Sequence, residues 1–235
     1  MTSSARDLTV FSTIAVQPAL QELAPAFEAA NACRLVVSWN TAPVLVKRLR
    51  GGETADVLIL NRAGIDAMTA DGRLLVDSVA TIASSTTMLA VRAGKPHPDV
   101  STVEALIRTL LACRALSYTD PAAGGASGIH FAKVIERLGI AREVNAKNRF
   151  PPPAGLAGDL LARGEVDLAV QQKPELLQVP GVEIVGPLPG DLHMVTVFVG
   201  GVEASSAQGA LGRRLIDFLR QPEAAAVFRA KGLDV

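Results

Sequence analysis

Short, unbroken apolar runs alternate with segments in which apolar residues recur every three or four positions, from near the first residue to the last. The first run, Leu8–Phe11, predicts a buried strand, and Pro18 opens a helix whose stripe is Leu20, Leu23, Ala24 and Phe27. Arg34–Trp39 (RLVVSW) is a second strand, followed by a helix from Pro43 through Val44–Leu49 that stops at Gly51-Gly52. Ala55–Leu60 (ADVLIL) is a third strand, apolar without a break from Val57 to Leu60 as a strand covered on both faces must be, and a short helix over Ile65–Ala70 ends near Gly72. Thr86–Val91 predicts a further strand. After a turn at Gly94–Pro98, Ser101 with Glu104 reads as a capping box for a helix carrying Val103, Leu106, Ile107, Leu110 and Leu111. Ala115–Tyr118 is a strand, and Phe131, Val134, Ile135 and Leu138 mark a helix starting at about Ile129 and ending at Gly139. Prolines at 151–153 mark a loop before a helix at Leu156–Arg163; strands follow at Asp167–Val170, Val182–Val185 and Met194–Val199. Helices at Ser206–Leu219 and Pro222–Lys231 close the chain.

Repeated strand–helix alternation with short loops predicts an α/β fold with mainly parallel sheets and right-handed crossovers. There is no internal repeat and no low-complexity linker. Two lobes would therefore be joined by ordered strands, for which Thr86–Val91 and Met194–Val199 are the candidates. This predicts a discontinuous first lobe, 1–85 plus 195–235, and a second lobe, 86–194, each a mixed, mainly parallel sheet flanked by helices, with a cleft between them.

In open parallel sheets ligands bind beyond the carboxyl ends of the strands. In this chain those ends carry neutral hydrogen-bonding residues: Ser12 and Thr13, Asn40 and Thr41, Asn61 with Arg62, Thr119, then Gln171 and Gln172. A glycine-rich stretch, AAGGASG at 122–128, brings Ala126, Ser127 and Gly128 to the start of a helix, where unpaired N–H groups and a partial positive charge favour an anion. Taken singly, each Ser, Thr or Asn is as well explained as a helix cap; repetition at five strand ends is what points to a site. Arg62 and Arg149 are candidate partners for a ligand carboxylate. If there is chemistry, His130 is the first candidate base, because its ordinary pKa of about 6.5 lies near neutrality, and Lys173 the second.

Composition narrows the alternatives. Hydrophobic residues make up 49% and aromatics 4%, so small and branched aliphatics do the packing. Lys+Arg and Asp+Glu balance at 23 each with no basic block, which argues against nucleic acid as a partner. The glycine stretch matches neither GxGxxG nor the Walker loop, no His/Cys/Asp/Glu spacing suggests a metal, and no cofactor is expected. Cys33 and Cys113 are expected to be buried free thiols. No apolar run approaches the roughly 20 residues of a membrane span, so the chain is not membrane-embedded. The start carries no export signal, which places the chain in the cytoplasm as it stands, or in the periplasm if a signal peptide has been removed.

Five blocks, LTVFSTIAVQPALQELAPAFEAAN, GGETADVLIL, YTDPAAGGASGIHFAKVIERLGI, LLARGEVDLAVQQ and FLRQPEAAAVFRAKGL, resemble the molybdate-binding-like substrate-binding proteins of ABC importers over nearly the whole chain. The resemblance implies the two-lobed type II periplasmic-binding fold, a small anionic ligand held by hydroxyls and backbone amides, and an ABC importer membrane subunit as partner. Carried onto this chain, its binding positions are Ser12, Asn40, Ala126 and Ser127. The molybdate proteins place serine at the position of Asn40 and tyrosine at that of Gln172, so the substitutions point to an organic carboxylate in place of molybdate. VGPLPGDLHMVTVFVGG and VQQKPELLQVPGVE are similar to the aconitate isomerase branch. Capture of a small oxyanion or a di- or tricarboxylate is the leading expectation; an isomerase acting on a small polycarboxylate is the alternative, and a cytoplasmic ligand sensor a third.

Overall fold

The computed structural model describes residues 6–152 and 154–235, so the last proline of the 151–153 run lies outside it. The chain divides into two compact units, Met1–Ser84 with Val197–Val235, and Ser85–Thr196. The elements are β1 (Arg6–Thr13), α1 (Gln17–Asn31), β2 (Cys33–Asn40), α2 (Ala42–Arg50), β3 (Val57–Asn61), α3 (Arg62–Ala70), β4 (Ala80–Arg92), α4 (Val103–Ala112), β5 (Leu116–Tyr118), α5 (Ala126–Arg137), α6 (Ala141–Asn145), α7 (Ala157–Ala162), β6 (Leu168–Gln172), α8 (Lys173–Leu177), β7 (Val182–Pro187), β8 (Val195–Val202), α9 (Gly209–Leu219) and α10 (Pro222–Ala230).

In the first unit the strand order is β2-β1-β3-β8, with β1 parallel to both neighbours and β8 antiparallel to β3. Strand β3 shows why an unbroken apolar run was needed. Val57 and Ile59 pack with Phe27, Leu215 and Phe228 of α1, α9 and α10, while Leu58 and Leu60 pack with Leu45, Leu49, Ile65 and Met68 of α2 and α3. Successive side chains point to opposite faces, so covering both faces demands an apolar residue at every position. The discontinuous tail is locked in by Glu203. This carboxylate is 2% exposed, is ion-paired with Arg73, and accepts from the Ala55 N–H at 3.2 Å.

In the second unit β4 lies between β7 and β6, antiparallel to both, and β5 is parallel to β6. Leu89, Val91, Leu116, Tyr118, Leu168 and Val170 face Leu106, Leu110, Phe131, Ile135 and Val144 of α4, α5 and α6. On the other face Ala90, Ala115 and Ala169 are small, which lets Leu160, Leu161 and Leu176 of α7 and α8 come close.

Several expectations are corrected. Strand β4 starts at Ala80, because Ala80–Ser85 extends the run with small residues that do not read as a strand by hydropathy. The cap of α4 is Thr102, whose Oγ1 accepts from the Ala105 N–H at 3.1 Å; Ser101 instead donates to Asp99. Helix α5 begins at Ala126, so Ser127 and Gly128 lie in its first turn and do not precede it. Cys33 and Cys113 are free, but only Cys33 is buried. Among the described residues no helix is long and apolar enough to cross a membrane.

Candidate functional site

The sharpest local geometry in the second unit is the meeting of α5 with the end of β5. The cap position of α5 is Gly125, which has no side chain to bond the first-turn N–H groups. The helix start packs directly on Thr119: a Cβ added at Gly128 would stand 1.9 Å from the Thr119 carbonyl oxygen, and one at Gly125 would stand 2.4 Å from its Cγ2. Only glycine permits that approach. Ser127, 2% exposed, sits in this turn, and its hydroxyl has no hydrogen-bond partner among the described residues.

The neighbouring polar atoms share this property. Among the described residues of the second unit six buried side-chain N or O atoms lack a partner, and three of them, on Thr87, Thr119 and Gln172, are at or level with strand ends. Leaving such an atom unpaired costs about 1–3 kcal/mol, so a concentration at one end of the strands needs a reason. A ligand with hydrogen-bonding groups supplies one. Thr87 pairs directly with Gln172 across β4 and β6, so the two side chains lie on the same face. The Gln172 Nε2 donates to Thr196 Oγ1 at 2.7 Å, and its Oε1 is the unpaired atom. Half a turn of the amide lets the Thr196 hydroxyl donate to Oε1 and presents Nε2, a donor, to an anion.

The other expected residues divide. In the first unit Ser12 is fully buried and donates only a long 3.3 Å bond to the Thr13 carbonyl. Asn40 Oδ1 accepts from the Thr41 N–H at 2.9 Å, turning its amide nitrogen free, and Thr41 precedes α2 without a side-chain cap bond. Asn61 is a helix cap: its Oδ1 accepts from Gly64 N at 2.9 Å. Arg62 is half-exposed and donates to Thr81 Oγ1 at 3.1 Å.

In the second unit Gln171 points away from Gln172. Strand β6 runs on through both glutamines, so alternation sends Gln171 to the α7 face, where its Oε1 accepts from the Ala157 N–H at 2.8 Å. Arg149 is exposed beside β5, its backbone N–H bonded to the Leu116 carbonyl at 2.9 Å. His130 Nε2 lies 2.7 Å from the Leu192 carbonyl, so Nε2 carries a proton and Nδ1 is the basic nitrogen. Lys173 is the first residue of α8 and half-buried.

Three residues escaped the sequence reading. Thr87 and Thr196 lie on antiparallel strands, where looking past carboxyl ends finds nothing. Glu175, on α8, has a buried Oε2 with no partner, and burial pushes its carboxyl up to about 7 against the weaker opposing pull of the Gln172 N–H and the Gln171 amide. No sequence signal marked it.

The family described as bacterial extracellular solute-binding protein matches residues 8–234. This chain belongs to that family. It is 32% identical to an aconitate isomerase from Pseudomonas sp, over 96% of this chain and 87% of that one. It is 23% identical to the molybdate-binding protein of Escherichia coli (strain K12), over 97% of this chain and 89% of that one. Among solved structures, the periplasmic molybdate-binding protein of Azotobacter vinelandii superposes with a TM-score of 0.78 at 18% identity, covering 97% of this chain and 99% of that one. Those likenesses agree with the α/β, type II periplasmic-binding fold and with the resemblance drawn from the sequence blocks.

Proposed function

We propose that this solute-binding protein takes a small organic polycarboxylate, of the aconitate or citrate kind. The observation that carries the reading is the uncapped first turn of α5, which holds Ser127, set against buried atoms that lack partners on Thr119, Thr87 and Gln172. These are donors without formal charge, suited to an anion held by dipoles and hydrogen bonds. Ser12, Thr13, Asn40 and Thr41 of the first unit are proposed as ligand donors of the same chemistry. Glutamine at 172, with a long flexible amide, suits a carboxylate of variable orientation. The 32% identity to an aconitate isomerase favours a tricarboxylate over molybdate or sulfate.

The test is a thermal-shift series with cis-aconitate, trans-aconitate, citrate, molybdate and sulfate. A ligand at a hundred times its Kd stabilises by about 2.7 kcal/mol, which is well resolved. A tricarboxylate should give the largest shift; a larger one from molybdate would refute the reading.

A second reading, favoured by the same relative, is that the protein moves a double bond in its ligand. That requires a base beside an acidic carbon, and His130 Nδ1, at the second turn of α5, is the group proposed for it. Incubation with cis-aconitate in deuterated water, followed by NMR, decides it: isomerisation with deuterium uptake, lost in His130→Ala while binding persists, supports catalysis, and tight binding without exchange rejects it. Partnership with an ABC importer and residence in the periplasm are proposed from family membership.

A further inference from the structure

The second unit contains a cavity of about 700 Å³ at the other end of its sheet. It is bounded by Arg92 at the close of β4, by Arg108 and Cys113 around the end of α4, and by Arg114 and Val166–Leu168 at the entrances to β5 and β6. The residues of the proposed carboxylate site, Thr119 and Gln172, are at the opposite ends of those last two strands.

The charges are lopsided. In a chain whose acids and bases balance at 23 each, this cavity is lined by Arg92, Lys95, Arg108 and Arg114 against the single carboxylate of Asp167. That carboxylate is already spoken for: it pairs with Arg114 at 3.1 Å and accepts from the Arg114 N–H at 2.7 Å. Arg114 also donates to the Gly164 carbonyl at 3.3 Å, so its guanidinium is held in place before any ligand arrives. Among the described residues the side chains of Arg92, Lys95 and Arg108 have neither an ion-pair nor a hydrogen-bond partner. Asp99 and Glu104 are within electrostatic reach of Arg108 but do not line the cavity. Glu183, near Lys95, is directed to the Gly94 N–H and to His97, each at 3.3 Å.

Gly164 contributes shape. Its φ of +74° calls for glycine, and a Cβ there would stand 3.0 Å from Arg92 Nη1, so the bare backbone gives the guanidinium its room. The walls between the cations are apolar: Val91, Pro96, Pro98, Val166 and Leu168. Like charges gathered without counter-charge repel, and a ligand that supplies the counter-charge relieves that repulsion. Guanidinium forks match phosphate oxygens two at a time. The volume falls within the range of about 300–1,000 Å³ typical of small-molecule sites.

We infer that this cavity is a second ligand site, for an organic phosphate bearing at least two negative charges on a compact apolar or flat body, such as a nucleoside diphosphate. Its occupancy would be independent of the carboxylate site.

Isothermal titration with ADP, with adenosine and pyrophosphate as part-ligands, tests it on the full chain at about 50 mM salt. ADP should bind at least tenfold more tightly than either part, and the Arg92→Glu/Arg108→Glu double variant should lose at least tenfold in ADP affinity. Both residues are exposed, and an unchanged circular dichroism melt would show that the variant still folds. In the wild type, ADP should also slow amide hydrogen exchange in residues 92–98 and 108–114. No ADP binding at millimolar concentration, equal affinity in the double variant, or protection confined to residues 119–130 would each overturn the inference.

Discussion

Replacing Glu175 by glutamine tests whether the buried carboxyl on α8 governs the pH dependence of stability. In the folded protein burial raises this group to about 7 from an ordinary value near 4.5. A gap of that size is worth about 3 kcal/mol at 1.36 kcal/mol per pH unit. The folded state holds the proton more tightly than the unfolded chain does. Between about pH 4.5 and 7 it therefore binds more protons, and stability falls as pH rises. The contribution is whole below pH 4.5 and gone above pH 7. Glutamine keeps the volume and an oxygen to accept the Gln172 N–H, but never ionises. Urea unfolding followed by circular dichroism at pH 5, 6, 7 and 8, without ligand, reads the difference between the two proteins. Wild type and Glu175→Gln should agree within about 1 kcal/mol at pH 5, and the variant should be more stable by about 3 kcal/mol at pH 8. Parallel pH profiles, or a variant less stable than wild type at pH 8, would refute the assignment.

Other substitutions probe the site and the frame that carries it. Ser127→Ala removes a buried hydroxyl from the first turn of α5, and should weaken polycarboxylate binding by about 1–2 kcal/mol, a factor of about 5–30 in Kd by calorimetry, with little change in unfolding. Gly128→Ala places a methyl 1.9 Å from the Thr119 carbonyl oxygen, so the helix must move; a loss of at least about 1–3 kcal/mol in urea unfolding, together with lost ligand binding, is expected. Arg73→Ala strands the Glu203 carboxylate, 2% exposed, and should cost about 3–5 kcal/mol in denaturation of the first unit.

The sequence made the strands and long helices legible wherever burial was two-sided or striped. Val57–Leu60 could only be a covered strand, and Leu20, Leu23 and Phe27 fall on the buried face of α1. Short elements were illegible: α6 and α8 are five residues each, too short for a 3.6-residue period to show. In the second unit the rule of looking past strand ends pointed to Thr119 and Gln172, both with unpaired buried atoms, but it assumes the strand stops where hydropathy drops. Strand β6 continues through its two glutamines, and this separates them onto opposite faces. Thr87 stayed hidden because it lies inside an antiparallel strand, and its partner Gln172 is distant in sequence.

The order in which the units are completed along the chain has a consequence for synthesis. Strand β3 pairs with β8, and α9 and α10 supply Leu215, Ile216 and Phe228 to the core of the first unit. None of these exists when β3 leaves the ribosome. The whole of Ser85–Thr196 must be translated first, roughly 110 residues, which takes about 5–20 s at 5–20 residues per second. The second unit is contiguous and can close during that interval, while the edge of β3 and the apolar face of α1 wait uncovered. A nascent chain in that condition is a substrate for holding chaperones, and the last forty or so residues act as the release step. Ribosomes stalled after Thr196 should thus carry a protease-resistant second unit attached to a protease-sensitive first one.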